Sequence, residues 1–159
     1  MTSYPGGIES KIGLLKDEYL LLQKFYEDYD ARIMGIKGWS TTICLAALGG
    51  GFYQSKLLWL FAAGSGIVFW ILDAVWKSFQ YNYSPRIVIF EEAFRSGNLE
   101  NIEPLQIYTS WFRAHRSNKL KFLRSIGMTI VWFPHIIPVI AGPTLFFLEQ
   151  SGVFTIARH

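Results

Sequence analysis

Charge is scarce in this 159-residue sequence, and what there is falls in clusters. Charged residues make up 17%, against roughly 25% in soluble domains. Between Lys37 and Asp73 only Lys56 carries a charge, and between Arg124 and Glu149 the only titratable side chain is His135. Stretches of that kind suit the hydrocarbon of a bilayer, which a helix crosses with about 20 apolar residues. Cysteine is nearly absent too: Cys44 stands alone in an apolar run, which excludes an intrachain disulfide. The opening MTSYPGGIESK has no basic region running into an apolar core, so no cleavable signal is read and the first hydrophobic pass is expected to direct insertion. The sequence has no Gly-rich phosphate loop, no CxxC or HExxH spacing and no GxSxG elbow. The expectation is therefore a non-enzyme with no metal and no cofactor.

The first feature present is a heptad pattern. Ile8, Ile12, Leu15, Tyr19, Leu22, Tyr26, Tyr29, Ile33 and Ile36 alternate at four and three residues, which predicts an amphipathic helix over 8–37. Leu14, Leu20, Leu21 and Phe25 widen the stripe beyond a two-stranded seam and favour packing in a bundle. Leu15, Tyr19, Leu22, Tyr26, Tyr29 and Ile33 are the expected seam for self-association as a coiled coil.

Membrane passes follow. One runs from about Trp39 to Ser55 and a second from about Leu57 to Phe79, joined by a turn at Gln54, Ser55 and Lys56, so 39–79 reads as a transmembrane hairpin. Gly35 and Gly38 are expected to loosen the joint before it, and Gly49, Gly50 and Gly51 to weaken its outer end. Small residues four apart, such as Ala62 and Gly66, suit close helix approach. Residues 80–124 read as a helical loop: Ser84 and Pro85 open a short helix, Gly97 closes it, and a second helix begins near Pro104. The third membrane segment, 125–148, contains Pro134, Pro138 and Pro143, so it cannot be one straight, fully bonded helix. The fold class expected is an all-α membrane protein forming a single membrane domain over 1–159.

A hairpin puts 8–37 and 80–124 on one side. That side holds all but two of the 15 Lys and Arg residues, the exceptions being Lys56 and Arg158. The positive-inside rule then makes it cytoplasmic, in a bacterial inner membrane, with the N-terminus inside. The C-terminus is external if the third segment spans and cytoplasmic if it re-enters.

Two ionisable residues at membrane depth are candidates for an ion path or pore: His135, between two prolines that free backbone carbonyls, and Asp73, near the inner end of the second pass. The plainer readings are a neutral imidazole bonded to a freed carbonyl, and an anchoring pair of Asp73 with Lys77, Arg32 or Lys37. Arg113, Arg116, Lys119, Lys121 and Arg124, interleaved with Trp111, Phe112, Leu120 and Phe122, have no acidic residue among them. This basic run is expected to contact anionic lipid rather than nucleic acid.

The segments FYEDYDARIMGIKGWSTT and FWILDAVWKSFQYNYSPRIVIFEEAF lie either side of the hairpin's outer turn. In layout, from about Tyr19 to Arg95, the chain resembles SLATT-type bacterial membrane effectors. That resemblance implies a helix before two passes, a cytoplasmic helical extension after them, and a role in nucleotide-signalled antiphage defence, with assembly breaching the bilayer. The chain departs from that layout in its Pro-rich third pass and in showing no sensing domain. The function expected is thus a self-associating membrane protein of the defence-effector kind. The alternatives are a small ion channel or transporter subunit, and a membrane anchor for a soluble cytoplasmic partner.

Overall fold

In the computed structural model, residues 7–117 and 120–155 are described, and among them every regular element is helical. Helix α1 spans Gly7–Tyr53, 47 residues or about 70 Å at 1.5 Å per residue. It is followed by α2 (Leu57–Gln80), α3 (Ser84–Ser96), a 3-10 turn (Leu99–Asn101), α4 (Ile107–Ser117), α5 (Lys121–Ile126), α6 (Thr129–Trp132) and α7 (Ile136–Gln150). Helical backbone continues without a break through Gly35, Gly38 and Gly49 to Gly51, so α1 runs through both the expected joint and the expected outer end. The turn between α1 and α2 falls at Gln54 to Lys56, as the spacing predicts. Pro85 sits in the first turn of α3, and Gly97 ends the helix in the left-handed region at φ 70°. The proline-rich segment breaks into α5, α6 and α7, and Pro143 lies inside α7.

The chain divides into two compact units: 1–31 with 78–121, and 32–77 with 122–159. The division follows charge, since 19 of the 27 charged side chains belong to the first unit.

The core of the first unit is built on the heptad stripe. Leu15 and Leu22 are fully buried with Phe90, Ala93 and Ile102, and Tyr19, Tyr83, Ile87, Leu99 and Ile107 pack around them. Tyr19 meets Phe90 edge-on, and Tyr29 lies against Tyr83. Glu18 and Arg86 form a buried ion pair at 3.0 Å. The Glu18 carboxylate also accepts the N–H groups of Leu105 and Gln106, and Arg86 donates to the Glu103 carbonyl at 2.7 Å. Leu105 has φ 62°, a costly conformation for a side chain of its shape, and the bond to Glu18 holds it there.

In the second unit small residues set the packing. On α1, Cys44, Ala47 and Gly51 are buried; on α2, Ala62, Ala63 and Gly66 are. The Cys44 thiol faces the Ala62 carbonyl at 3.6 Å, and the fully buried Trp59 donates its indole N–H to the Leu48 carbonyl at 2.9 Å. A Cβ on Gly51 would collide with the Trp59 indole, and one on Gly142 of α7 with the Trp59 backbone carbonyl. Close approach of this kind is how membrane helices associate without a hydrophobic drive. Gly142→Val is therefore expected to destabilise this unit by about 1–3 kcal/mol, seen as a lower unfolding temperature in detergent. Gly64→Val, at a glycine with open space around it, should leave that temperature nearly unchanged.

Helix α2 opens Leu57–Ser96, the stretch that contains a helix long and apolar enough to cross a membrane, at a mean hydropathy of 1.8. Only 33% of that apolar window is buried within the chain, unlike a core helix of a soluble protein. Helix α7, with 15 residues, is about 22 Å long and shorter than a hydrocarbon core of about 30 Å.

Candidate functional site

Lys37 and Ser40 are three residues apart on α1 and so share a face. Asp73 on α2 is two turns beyond Gly66, whose missing side chain lets α2 lie against Pro138 and the His135 carbonyl. His135 is the residue before α7, and the Pro134 carbonyl behind it accepts the Ile137 N–H. These elements bring four polar side chains together inside the second unit. His135 Nδ1 is 2.8 Å from Ser40 Oγ, and its Nε2 is 3.3 Å from Asp73 Oδ2. Lys37 Nζ donates to the same Asp73 oxygen. Ser40 is 2% exposed and both Asp73 and His135 are 0% exposed.

With Lys37 as an ammonium and Asp73 as a carboxylate, the pair is neutral, which is the condition for holding two charges away from water. A neutral His135 that donates from Nε2 to Asp73 accepts the Ser40 hydroxyl at Nδ1, so one tautomer satisfies both contacts. Asp73 Oδ1 is buried with no hydrogen-bond partner, an uncommon condition for a carboxylate oxygen. A cavity of about 60 Å³ opens beside Ser40, bounded also by Thr41, Cys44, Leu48, Pro134 and Pro138. Leu45 and Ile137 complete its lining, which is almost wholly apolar. Ser, His and Asp in sequence resemble a nucleophilic triad, but Ser40 lies within α1, where backbone N–H groups are bonded along the helix. No pair of donors is left there to form an oxyanion hole. The contacts join Ser40, His135, Asp73 and Lys37 in one hydrogen-bonded chain.

His135 and Asp73, read separately from the sequence as ion-path candidates, are thus in contact, and of the cations near Asp73 Lys37 supplies a partner. Arg32 instead sits over the Trp76 ring at 5.6 Å. Ser40 was not singled out by sequence, because a serine in an apolar helix is common; its i, i+3 spacing from Lys37 was the available signal.

The expected self-association seam is used inside the chain. Leu15 and Leu22 are fully buried, Ile33 is 5% exposed, Tyr19 and Tyr29 pack on aromatic partners, and the Tyr26 carbonyl accepts the Gln80 amide at 2.8 Å. Leu15 and Leu22 of the stripe are covered by Phe90, Ala93 and Ile102, whereas Ile8, Ile12, Leu20 and Leu21 on α1 remain exposed.

The basic run divides as well. Arg113 and Arg116 on α4 and Arg124 on α5 are exposed, and α4 also exposes Tyr108 and Phe112. Lys119 lies outside the described residues. Lys121 turns inward, donating to Asn82 Oδ1 at 3.1 Å and to the Ala114 carbonyl at 3.2 Å, and burial pushes its ammonium below the ordinary lysine value. The unfolded chain then holds the Lys121 proton to higher pH than the folded one, so this residue makes stability rise with pH just below 10.5. Unfolding followed across that range should show a rise that is smaller in Lys121→Met.

Among the described residues no group of three or more His, Cys, Asp or Glu side chains is placed to hold a metal ion. Comparison with known protein families, curated proteins and solved structures gives no match to this chain.

Proposed function

We propose that this chain is a multi-pass membrane protein in which the Lys37–Asp73–His135–Ser40 cluster handles an ion, as part of a small channel or transporter. One observation carries the reading: the second unit buries a cluster of polar side chains while leaving large apolar ones exposed. Asp73, His135, Ser40 and Ser125 are buried in it, while Phe61, Ile67, Val68, Ile71, Ile140 and Phe147 are exposed. In water that arrangement would leave a large apolar surface uncovered; in lipid it is the stable one, and ionisable groups inside it mark ion pathways. The broken α5–α6–α7 stretch fits a lining segment, since irregular backbone at membrane depth is tolerated around cavities.

In this reading the first unit is cytoplasmic, in accord with the 13 Lys and Arg residues on its side of the expected hairpin. Arg113 and Arg116 face the anionic leaflet, contributing about 1 kcal/mol each. The effector role implied by the SLATT-type resemblance needs an assembly surface, and Ile8, Ile12, Leu20 and Leu21 are the apolar residues that α1 leaves exposed for one. A membrane anchor for a soluble partner would not need the buried cluster.

Purified protein in planar bilayers tests the proposal. Wild type should carry current, and His135→Ala should carry none at equal incorporation. Equal currents from the two would contradict an ion path through this cluster, and silence from wild type under every cation offered would favour the anchor.

A further inference from the structure

We infer that α4 lies in the plane of an anionic bilayer surface, seating Leu105, Tyr108 and Phe112 among the headgroups and setting Arg113 and Arg116 on lipid phosphates; the inference rests on the membrane reading above. The inner side of α4 is taken up within the first unit. Ile107 packs on the core, Ala114 is buried, and Trp111 gives its indole N–H to the Phe79 carbonyl at 3.2 Å. The outer side of a helix placed in this way is polar when it faces water. Here it carries Tyr108, 74% exposed, and Phe112, one turn on, with the two rings stacked at 6.0 Å. Leu105, just before the helix, is 70% exposed.

Leu105 is displayed at a conformational cost. Its φ of 62° lies in the left-handed region that leucine avoids, and its N–H is held there by the Glu18 carboxylate. Glu18 is itself buried and paired with Arg86. A strained residue that its surroundings hold this firmly points to a role for what it presents. What it presents here is a large apolar side chain in the open, beside two aromatic rings.

Charge selects the occupant of this face. No acidic residue occurs between Pro104 and Ser125, and Glu103, just ahead of that stretch, is 3.7 Å from the Lys11 ammonium. Arg113 and Arg116 are exposed and line one groove with Thr109, Phe112 and Ser117. Two guanidiniums about a turn apart match the oxygens of phosphate. The Arg116 guanidinium also lies 5.5 Å from the centre of the Phe112 ring. Aromatic rings beside basic groups on one helix face are the pattern of a helix resting in the headgroup layer. A second copy is the poorer fit, since its own α4 would bring the same two arginines against these.

The experiment uses the full chain with a nitroxide at Thr109→Cys in a Cys44→Ala background, in nanodiscs of phosphatidylcholine alone or mixed with phosphatidylglycerol. A separate label at Val68→Cys reports on the second unit. With phosphatidylglycerol present, the Thr109 label should be relaxed strongly by oxygen, which concentrates in lipid, and weakly by a water-soluble nickel complex. In phosphatidylcholine alone the nickel complex should gain access. Arg113→Gln/Arg116→Gln should lower the docked-to-free ratio about thirtyfold, the combined lipid attraction of two basic residues. Leu105→Ser/Phe112→Ser should free the label in both kinds of disc. All four side chains are exposed, and unfolding temperatures in detergent check that the variants fold. A Thr109 label open to nickel in both discs, with the Val68 label sheltered, overturns the docking of α4 and leaves the membrane reading standing. Both labels open to nickel overturns the two together. Shelter at Thr109 unchanged in the folded arginine variant overturns the phosphate contact. Shelter that persists in detergent and grows with protein concentration assigns the face to a second copy and overturns the lipid assignment.

Discussion

Asp73→Asn is expected to abolish ion movement and to destabilise the second unit at once. The stability loss has a direct cause: Lys37 donates to Asp73, and removing one member of a buried pair leaves the other charge uncompensated, at a cost of about 3–5 kcal/mol. Loss of flux in that variant alone would therefore mean little. The double variant Asp73→Asn/Lys37→Met separates the two roles, because it removes both charges and should recover most of the stability. If the recovered protein conducts no ion, Asp73 is needed for transport beyond its part in holding α1 to α2. If it conducts as wild type does, the cluster is only a clamp.

The second large effect belongs to Glu18. Glu18→Ala would strip Arg86 of its buried partner and remove the acceptor for the Leu105 and Gln106 N–H groups. A loss of about 3–5 kcal/mol is expected from the unpaired charge. The Leu105 backbone at φ 62° should relax as well. Amide exchange would then speed up at residues 103–106 and along α3, since Arg86 also donates to the Glu103 carbonyl. Glu18→Gln keeps an oxygen acceptor and should fall between the two. Exchange in Glu18→Ala no faster than in wild type would show that the 103–106 loop is held by other contacts.

Local features were legible in the sequence because their causes are local. Gly97 ends α3 in the left-handed region that glycine favours, and Pro134, which lacks a donor, stands at the break between α6 and α7, whereas Pro138 and Pro143 are carried within α7. The stripe through Leu15 and Leu22 was recognisable as a buried face, but periodicity names a face and not what covers it. Phe90, Ala93 and Ile102, far along the same chain, cover Leu15 and Leu22. The same gap applies at the site. Asp73 and His135 stood out because charge is rare around them, yet nothing in a spacing of 62 residues announces their contact. Lys121 looked like one more basic residue in a row, and its inward turn follows from Asn82 and the Ala114 carbonyl being placed to receive it.

On the proposed reading the apolar outer face of the second unit lies in lipid. It is tested most directly by spin labels at Val68→Cys and Ile71→Cys in a Cys44→Ala background. Both positions are exposed, at 63% and 48%. In reconstituted bilayers the labels should be relaxed strongly by oxygen, which partitions into hydrocarbon, and weakly by a water-soluble nickel complex. Strong relaxation by the nickel complex at both positions would put that face in water and contradict the account.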